Sequence, residues 1–485
     1  MNVAPSLGGR PVRPNLVLAI CCMSLLIVSM DATIVNVALP TIRRELSAST
    51  SDLQWIVDAY TTVVASLLML SGSLADRFGR RRTFQVGLAV FTLASALCSV
   101  APTIGVLIAF RALQAVGGSM LNPVAMSIIT NTFLEPRARA RAIGTWGAVV
   151  GVSMALGPIV GGGLTQTLGW RSIFWINLPI GGAAILLTRR FVPESKAPRA
   201  RRLDPLGQLF VCLALSSLTF AIIEGHRKGW GSPLILALFA LSASSVATLC
   251  WYEPRRAEPL LDLRFFRSIP FSSATLIAVC MFSAFAGFGF LNALYLQEVR
   301  GMPPLRTGLY TLPLAVMMSV FAPISGRLVG RYGSRISLVA AGTATALSAL
   351  LLTQLRVDTS LVQLVASYVI FGIGFGLVNP PITNTAVSGM PLGQAGLAAA
   401  IASTSRLVGA SMGVAIGGTL AGGASGPEAF TQALHSYYWV MAGCGGAVVA
   451  LGFLSNGDLA RASVARVASL FDDGYPAARG LQGAP

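Results

Sequence analysis

Long apolar blocks alternate with short polar gaps along almost all 485 residues of this chain. A helix of about 20 apolar residues crosses the hydrocarbon core of a bilayer. Blocks of that kind occur at 15–39, 53–74, 84–100, 103–130, 143–168, 173–187, 206–223, 233–251, 271–296, 308–328, 336–355, 361–378, 396–420 and 437–454. Open sheets and loops cannot face lipid, so each block is read as a helix. The pattern predicts an all-α membrane protein with 14 transmembrane helices.

Charge adds an orientation. Only 11% of residues are charged, against about 25% in a soluble protein. The net charge of +17 would suit nucleic acid, but the basic residues sit in short gaps and form no continuous face, so that partner is excluded. With the N-terminus in the cytoplasm, twenty-five basic residues fall on the inner side and eight on the outer; only Arg111 and Arg406 lie within spans. The inner set includes Arg77, Arg80, Arg81 and Arg82, then Arg199, Arg201 and Arg202, and finally Arg479. That bias predicts both termini inside. The first apolar block is too long for a signal-peptide core and is expected to be a retained span.

The seven cysteines all fall inside apolar runs with no metal-type spacing. They read as small buried hydrophobes, and no metal or cofactor is expected. Lys196 and Lys228 are the only lysines, and neither follows a glycine-rich loop, so an ATP-driven pump is excluded. No cluster of His, Cys or acids suggests an enzyme. The richness in Arg, Ala and Gly points to a GC-rich bacterial genome and a multi-pass place in the bacterial cell (inner) membrane.

An internal repeat organises the spans. The gap after the second block reads Gly72-Ser-Leu-Ala-Asp76-Arg77-Phe-Gly79-Arg80-Arg81-Arg82, and the gap after the tenth reads Gly326-Arg-Leu-Val-Gly330-Arg331-Tyr-Gly333-Ser-Arg335. The Asn122-Pro123 and Asn379-Pro380 pairs echo it. Two six-helix halves with two inserted helices account for the spacing. The expected domains are 1–195 and 266–457 for the six-helix bundles, 196–265 for the insert and 458–485 for a cytoplasmic tail. Parallel repeats with a site between them near the midplane are the design of a rocking carrier.

Several motifs carry a family likeness. They are Asp31-Ala-Thr-Ile-Val-Asn36-Val-Ala-Leu-Pro40, the Gly72–Arg82 loop, Arg111-Ala-Leu-Gln114-Ala-Val-Gly117-Gly118, the Gly151, Gly157-Pro158, Gly161-Gly162 series, and Trp170-Arg171 through Phe174-Trp175-Ile-Asn177-Leu-Pro179. On these the chain resembles the major facilitator superfamily and, within it, the fourteen-span drug:proton antiporters. The resemblance implies a major facilitator fold in a 6+2+6 arrangement. It implies a monomer that moves small amphipathic molecules and protons among membrane lipids. The Gly157-Pro158 element is typical of the superfamily's exporters. The resemblance also implies a proton-coupling role for Arg111, and a gate at Gly72, Asp76, Arg77, Gly79 and Arg80 in which Asp76 latches the inner side shut. Gly330 replaces that acid in the second copy, so the latch is expected to be one-sided.

The residues themselves supply candidate chemistry. Asp31 lies about 17 residues into the first span, roughly 25 Å from its inner end, and Asp58 lies near the outer end of the second. An ionisable group at membrane depth is costly and usually functional, and a carboxyl in an apolar setting binds protons nearer neutral pH. Proton coupling is expected at Asp31, Asp58 and Arg111; a structural hydrogen bond or a permanent ion pair is the plainer alternative for each. A buried Arg111 needs a partner, with Asp31 and Asp58 in reach. Arg406 either lines a cavity or satisfies backbone carbonyls. Phe282 and Phe285 either wall a greasy cavity or face lipid. Asn36, Trp55, Tyr60, Gln114, Asn122, Asn292 and Asn379 complete the expected substrate lining. The function expected is proton-coupled multidrug efflux of amphipathic, cationic compounds by alternating access; the alternative is export of an endogenous lipid, peptide or secreted metabolite.

Overall fold

The computed structural model describes residues 6–7, 10–11, 13–196, 203–256, 259–388, 390, 395–424 and 426–472. Arg199, Arg201, Arg202 and Arg479 of the charge count lie outside them. Fourteen helices are long and apolar enough to cross a membrane. In chain order the helices are α1 (Pro14–Leu46), α2 (Thr50–Phe78), α3 (Arg80–Ser99), α4 (Ile104–Thr132), α5 (Pro136–Leu168), the one-turn α6 (Ser172–Trp175) that leads into α7 (Asn177–Phe191), α8 (Pro205–Lys228) and α9 (Pro233–Tyr252). The second half holds α10 (Ile269–Leu294), α11 (Pro304–Tyr332), α12 (Ser334–Leu352), α13 (Leu361–Ser388), α14 (Ala395–Ala421), α15 (Pro427–Leu454) and a terminal α16 (Asp458–Asp472). Fourteen crossings bring Pro14 and Leu454 to one face, the termini face; the opposite one is the far face.

Helix ends follow local chemistry. Ser49 caps α2 through a reciprocal box with Asp52: the Asp52 N–H donates to Ser49 Oγ, and the Ser49 N–H donates to the Asp52 carboxylate. The α2–α3 link is the single residue Gly79 at φ 110°, and the α11–α12 link is the single residue Gly333 at φ 78°. Both backbones lie where a side chain is disfavoured. The internal repeat is thus a repeated one-glycine turn.

The apolar block at 361–378 ends at Asn379, yet α13 continues to Ser388 through Pro380 and Pro381. Pro381 has no N–H for the carbonyl four residues back. That carbonyl, on Leu377, instead accepts the Ser325 hydroxyl from α11 at 2.6 Å. Partners on a neighbouring helix let a membrane helix carry proline.

The core shows how the two halves meet. One cluster of buried residues includes Met30, Ile34, Leu39, Leu53, Ile56 and Phe174 from the first six spans together with Phe271, Phe290, Tyr368, Phe375 and Tyr437 from the last six. A second cluster, from Val17 and Ile20 through Leu68, Phe84 and Ile129 to Val192, has all its buried members in the first six spans. The core therefore runs across both lobes toward the far face and, apart from Leu407 of α14 packing against the second cluster, divides toward the termini face. Among the described residues, the hydrogen bonds joining the lobes follow the same division. They pair Arg43 with Glu298 (2.6 Å), Gln297 with the Val37 carbonyl (2.8 Å), the Leu305 N–H with Gln166 (3.4 Å), Gln54 with the Ala415 carbonyl (2.8 Å) and Thr62 with Ser411 (2.9 Å). All lie between mid-depth and the far face.

Close approach at this seam depends on glycine. Gly162 of α5 faces the Pro304–Leu305 backbone of α11, and Gly308 of α11 faces the Pro158–Ile159 backbone of α5. A Cβ at either would collide with the opposite lobe. The inserted α8 rests against both α2 and α14, so the insert touches both lobes as well.

Candidate functional site

Three sites emerge from the polar residues that the helices bury. The first lies inside the first six-helix bundle. Arg111 of α4 and Asp31 of α1 are each 1% exposed, and Arg111 Nη1 is 2.5 Å from Asp31 Oδ2. The same guanidinium donates to Gln114 Oε1 at 2.7 Å and to the Ile56 carbonyl of α2 at 3.2 Å. Gln114 and Asn177 donate to Asp31 Oδ1 at 3.0 and 3.2 Å. The Tyr60 ring lies 4.4 Å from the guanidinium centre. Both charges are thus paired and hydrogen-bonded, the condition under which a buried ion pair is tolerated. The pair ties α1, α2, α4 and α7 of one lobe together and does not reach the space between lobes.

The second site lies where α2, α8 and α14 meet. Asp58 is 0% exposed and forms no ion pair with any described residue. Its Oδ1 accepts the Thr61 hydroxyl at 3.2 Å, and its Oδ2 has no hydrogen-bond partner. The Ser411 hydroxyl of α14 faces the carboxyl. Thr62, Thr219 and Ser411 form a triangle of hydroxyls from the three helices, with separations of 2.9 to 3.4 Å. A void of about 10 Å³ adjoins them, lined in part by Thr62, Thr219, Val408 and Ser411. Asp31 and Asp58 are therefore not a pair, because α2 turns Asp58 away from Arg111 and toward the other lobe.

The third site is on the second lobe. Phe282, Phe285, Ala286 and Gly289 are partly exposed at successive turns of α10, which marks one helix face. Gly289 on that face lies opposite Asn36 of α1, so the face turns toward the first lobe. Phe285 stacks on Phe375 of α13 with centroids 4.2 Å apart, and Phe282 meets the same ring at 5.1 Å. Arg406 of α14 lies 5.9 Å from the Phe282 ring centre. It donates to Thr383 at 2.6 Å and to Ser403 at 3.3 Å, while its Nε is buried without a partner.

The remaining expected lining residues divide by place. Asn36 is partly exposed at the cleft, with Oδ1 unpartnered. Asn122 and Asn379 are partly exposed, and Asn122 Oδ1 also lacks a partner. Asn292 is buried and accepts the Tyr368 hydroxyl inside the second lobe. Trp55 faces the insert, donating to Glu224 at 3.1 Å. Tyr60 and Gln114 belong to the Arg111 cluster inside the first lobe.

The loop at the termini face is held within its own lobe. Asp76 accepts from Arg80 at 2.9 Å, one turn along the chain, and Arg77 lies over Phe78. Glu194, beyond α7, accepts the Arg81 N–H at 3.0 Å and crowds Gly79. Gly72 has open space around it. Gly157 seats Thr33 of α1, and the Pro158 carbonyl faces Gly308.

Sequence reasoning passed over Asn177 as a partner of Asp31, Glu194 as the loop's anchor, and the seam hydroxyls. A signal for the seam was present. Gln54, Asp58, Thr62 and Ser66 recur every four residues on α2, a polar stripe on an otherwise apolar helix. Gln54 reaches α14 and the Ser66 carbonyl accepts Gln208 of α8.

Comparison with known proteins agrees with this architecture. Residues 21–414 match the family model described as Major Facilitator Superfamily. The chain is 36% identical over 398 residues to the multidrug resistance protein Stp of Mycobacterium tuberculosis, covering 82% of this chain and 74% of that protein. It is 36% identical over 418 residues to the tetracenomycin C resistance and export protein of Streptomyces glaucescens, covering 86% and 77%. It is 33% identical over 416 residues to the multidrug efflux pump LfrA of Mycolicibacterium smegmatis, covering 86% and 82%.

Proposed function

The chain belongs to the Major Facilitator Superfamily as a multi-pass protein of the bacterial inner membrane, and from that premise we propose that it exports drug-like amphipathic molecules in exchange for protons. Relatives named for multidrug resistance and for export support the export of small molecules. Alternating access is supported by the divided core: the lobes meet toward the far face and separate toward the termini face, which the bias of basic residues assigns to the cytoplasm. Substrate then enters from the cytoplasm into the cleft beside α1, α10, α13 and α14.

The observation that carries proton coupling is Asp58. It is a buried carboxyl with an unpartnered oxygen, set in the seam that must part for the far side to open. A buried carboxylate with no cation beside it is costly, so the closed seam favours the protonated form. Opening the seam brings water to the group and lets its proton exchange with the outside. Arg111 links the two acids mechanically: it grips Asp31 and also the Ile56 carbonyl, two residues before Asp58 on α2. In this reading Asp58 carries the proton, and the Asp31–Arg111 pair holds α2 in register. Asp76 exchanges its Arg80 partner for a latch between lobes when the cytoplasmic side closes.

Purified protein in proteoliposomes tests the reading. An imposed pH gradient, acid on the far-face side, should drive accumulation of a fluorescent drug probe against its gradient, and Asp58→Asn should abolish that response while the folded protein is retained. Accumulation that persists at full rate in Asp58→Asn, or in the presence of a protonophore, overturns it.

A further inference from the structure

Resting on the export reading above, we infer that the second lobe carries a subsite for aromatic compounds with an anionic or strongly accepting edge, built from Arg406, Phe282 and Phe285.

Arg406 is a cation without an acid. Among the described residues its partners are two hydroxyls, Thr383 and Ser403, and one ring, Phe282. The Nε is buried and has nothing to donate to. Arg111 of the first lobe shows how the fold satisfies a buried cation: it surrounds it with a carboxylate, an amide and a backbone carbonyl. Arg406 has no such set. A guanidinium offers five donors in a planar fork suited to carboxylate-like acceptors. Leaving that fork short of acceptors in an apolar setting is costly, and a ligand that supplies acceptors recovers the cost on binding.

The surroundings fix the rest of the ligand. Phe282 and Phe285 line the cleft face of α10, backed by Phe371 and Phe375 of α13, with centroid distances of 4.2 to 6.4 Å among them. A flat ring system laid on these aromatics would put its acceptor edge at Arg406. On the opposing lobe, the α1 face that carries Asn36 also presents Cys22, Leu26, Ser29 and Ala32, each exposed or partly exposed, and none of the five is acidic. The two buried acids of the first lobe are committed elsewhere: Asp31 to Arg111, and Asp58 to the α2–α14 seam. A cationic ligand therefore meets a like charge and no counter-charge, whereas an anionic one meets its complement.

Two xanthene dyes of similar shape and opposite charge separate these cases: fluorescein, an anion, and tetramethylrhodamine methyl ester, a cation. Binding to the purified full chain is read by fluorescence anisotropy, and export is followed in proteoliposomes. The wild-type protein should bind fluorescein more tightly than the rhodamine. Arg406→Gln should weaken fluorescein about tenfold or more, the value of a hydrogen bond to a charged group, and leave the rhodamine unchanged or tighter. Arg406→Lys should keep part of the preference, since the charge stays and the fork is lost. Phe282→Ala should weaken both dyes. If Arg406→Gln does not fold, the wild-type order of affinities decides alone. A wild-type preference for the rhodamine, or an equal loss of both dyes in Arg406→Gln, overturns the subsite and leaves the export reading standing. Binding and export of neither dye overturn both.

Discussion

Arg111 and Asp31 stand 2.5 Å apart, each about 1% exposed, with every neighbouring polar contact drawn from one lobe. Removing one partner of such a pair strands the other charge, at a cost of about 3–5 kcal/mol. Asp31→Asn and Arg111→Gln should therefore each lower the unfolding temperature of the purified protein markedly. The double variant places two neutral hydrogen-bonding side chains together and should regain much of the loss. A double-mutant cycle by thermal unfolding measures the coupling. Losses that simply add would mean that the two charges do not depend on each other.

Asp58 should behave in the opposite way. It has no counter-ion to strand, and an amide fills the same volume, so Asp58→Asn should change stability by no more than about 1 kcal/mol. Drug transport by this variant should lose its response to an imposed pH gradient while drug binding at equilibrium survives. A stable variant with an unaltered gradient response would remove Asp58 from the coupling mechanism.

The difference between the two acids marks the limit of what the sequence conveys. Membrane depth is legible from position in an apolar block, and depth alone brought Arg111 within reach of both acids. The choice between them depends on the rotational setting of α2, which points Asp58 at α14 and the Ile56 carbonyl at Arg111. The stripe at Gln54, Asp58, Thr62 and Ser66 defines that face, but its partners, Ser411 and Gln208, lie 349 and 142 residues away in the chain. The end of α13 was hidden for a similar reason: the apolar run stops at Val378, and the partner that lets the helix continue through Pro380 and Pro381 is Ser325 on another helix. The repeat around Gly79 and Gly333 was legible, because its chemistry is local, but the gaps read as loops of several residues where the structure turns on a single glycine.

Ser325 yields a prediction of its own. Its hydroxyl is the partner of a carbonyl that proline leaves free, and Ser325 is fully buried. Ser325→Ala leaves that buried carbonyl unsatisfied, at a cost of about 1–3 kcal/mol. Pairing it with Pro381→Ala restores the N–H donor within α13 and should remove most of the penalty. Thermal unfolding of the two single variants and the double variant reads this directly. A Ser325→Ala penalty that is unchanged in the Pro381→Ala background would show that the hydroxyl has some other use.

The lobes' contact at Gly308 predicts a shift in conformation. A methyl there meets the Pro158 and Ile159 backbone of the other lobe, and backbone cannot rotate away as a side chain can. Overpacking of this kind costs about 1–3 kcal/mol, and here it burdens only the state in which the far side is closed. An equilibrium between two states then moves by roughly 5- to 150-fold. Gly308→Ala should populate a form open at the far face, read as a longer distance between spin labels at Thr167 and Arg306, both exposed near the far-face ends of α5 and α11. Gly163→Ala is the control, since its nearest neighbour is the Leu305 Cδ1 methyl at 3.9 Å, an ordinary contact. If the label distance is the same in Gly308→Ala as in the control, then α5 and α11 do not set the closure of the far side.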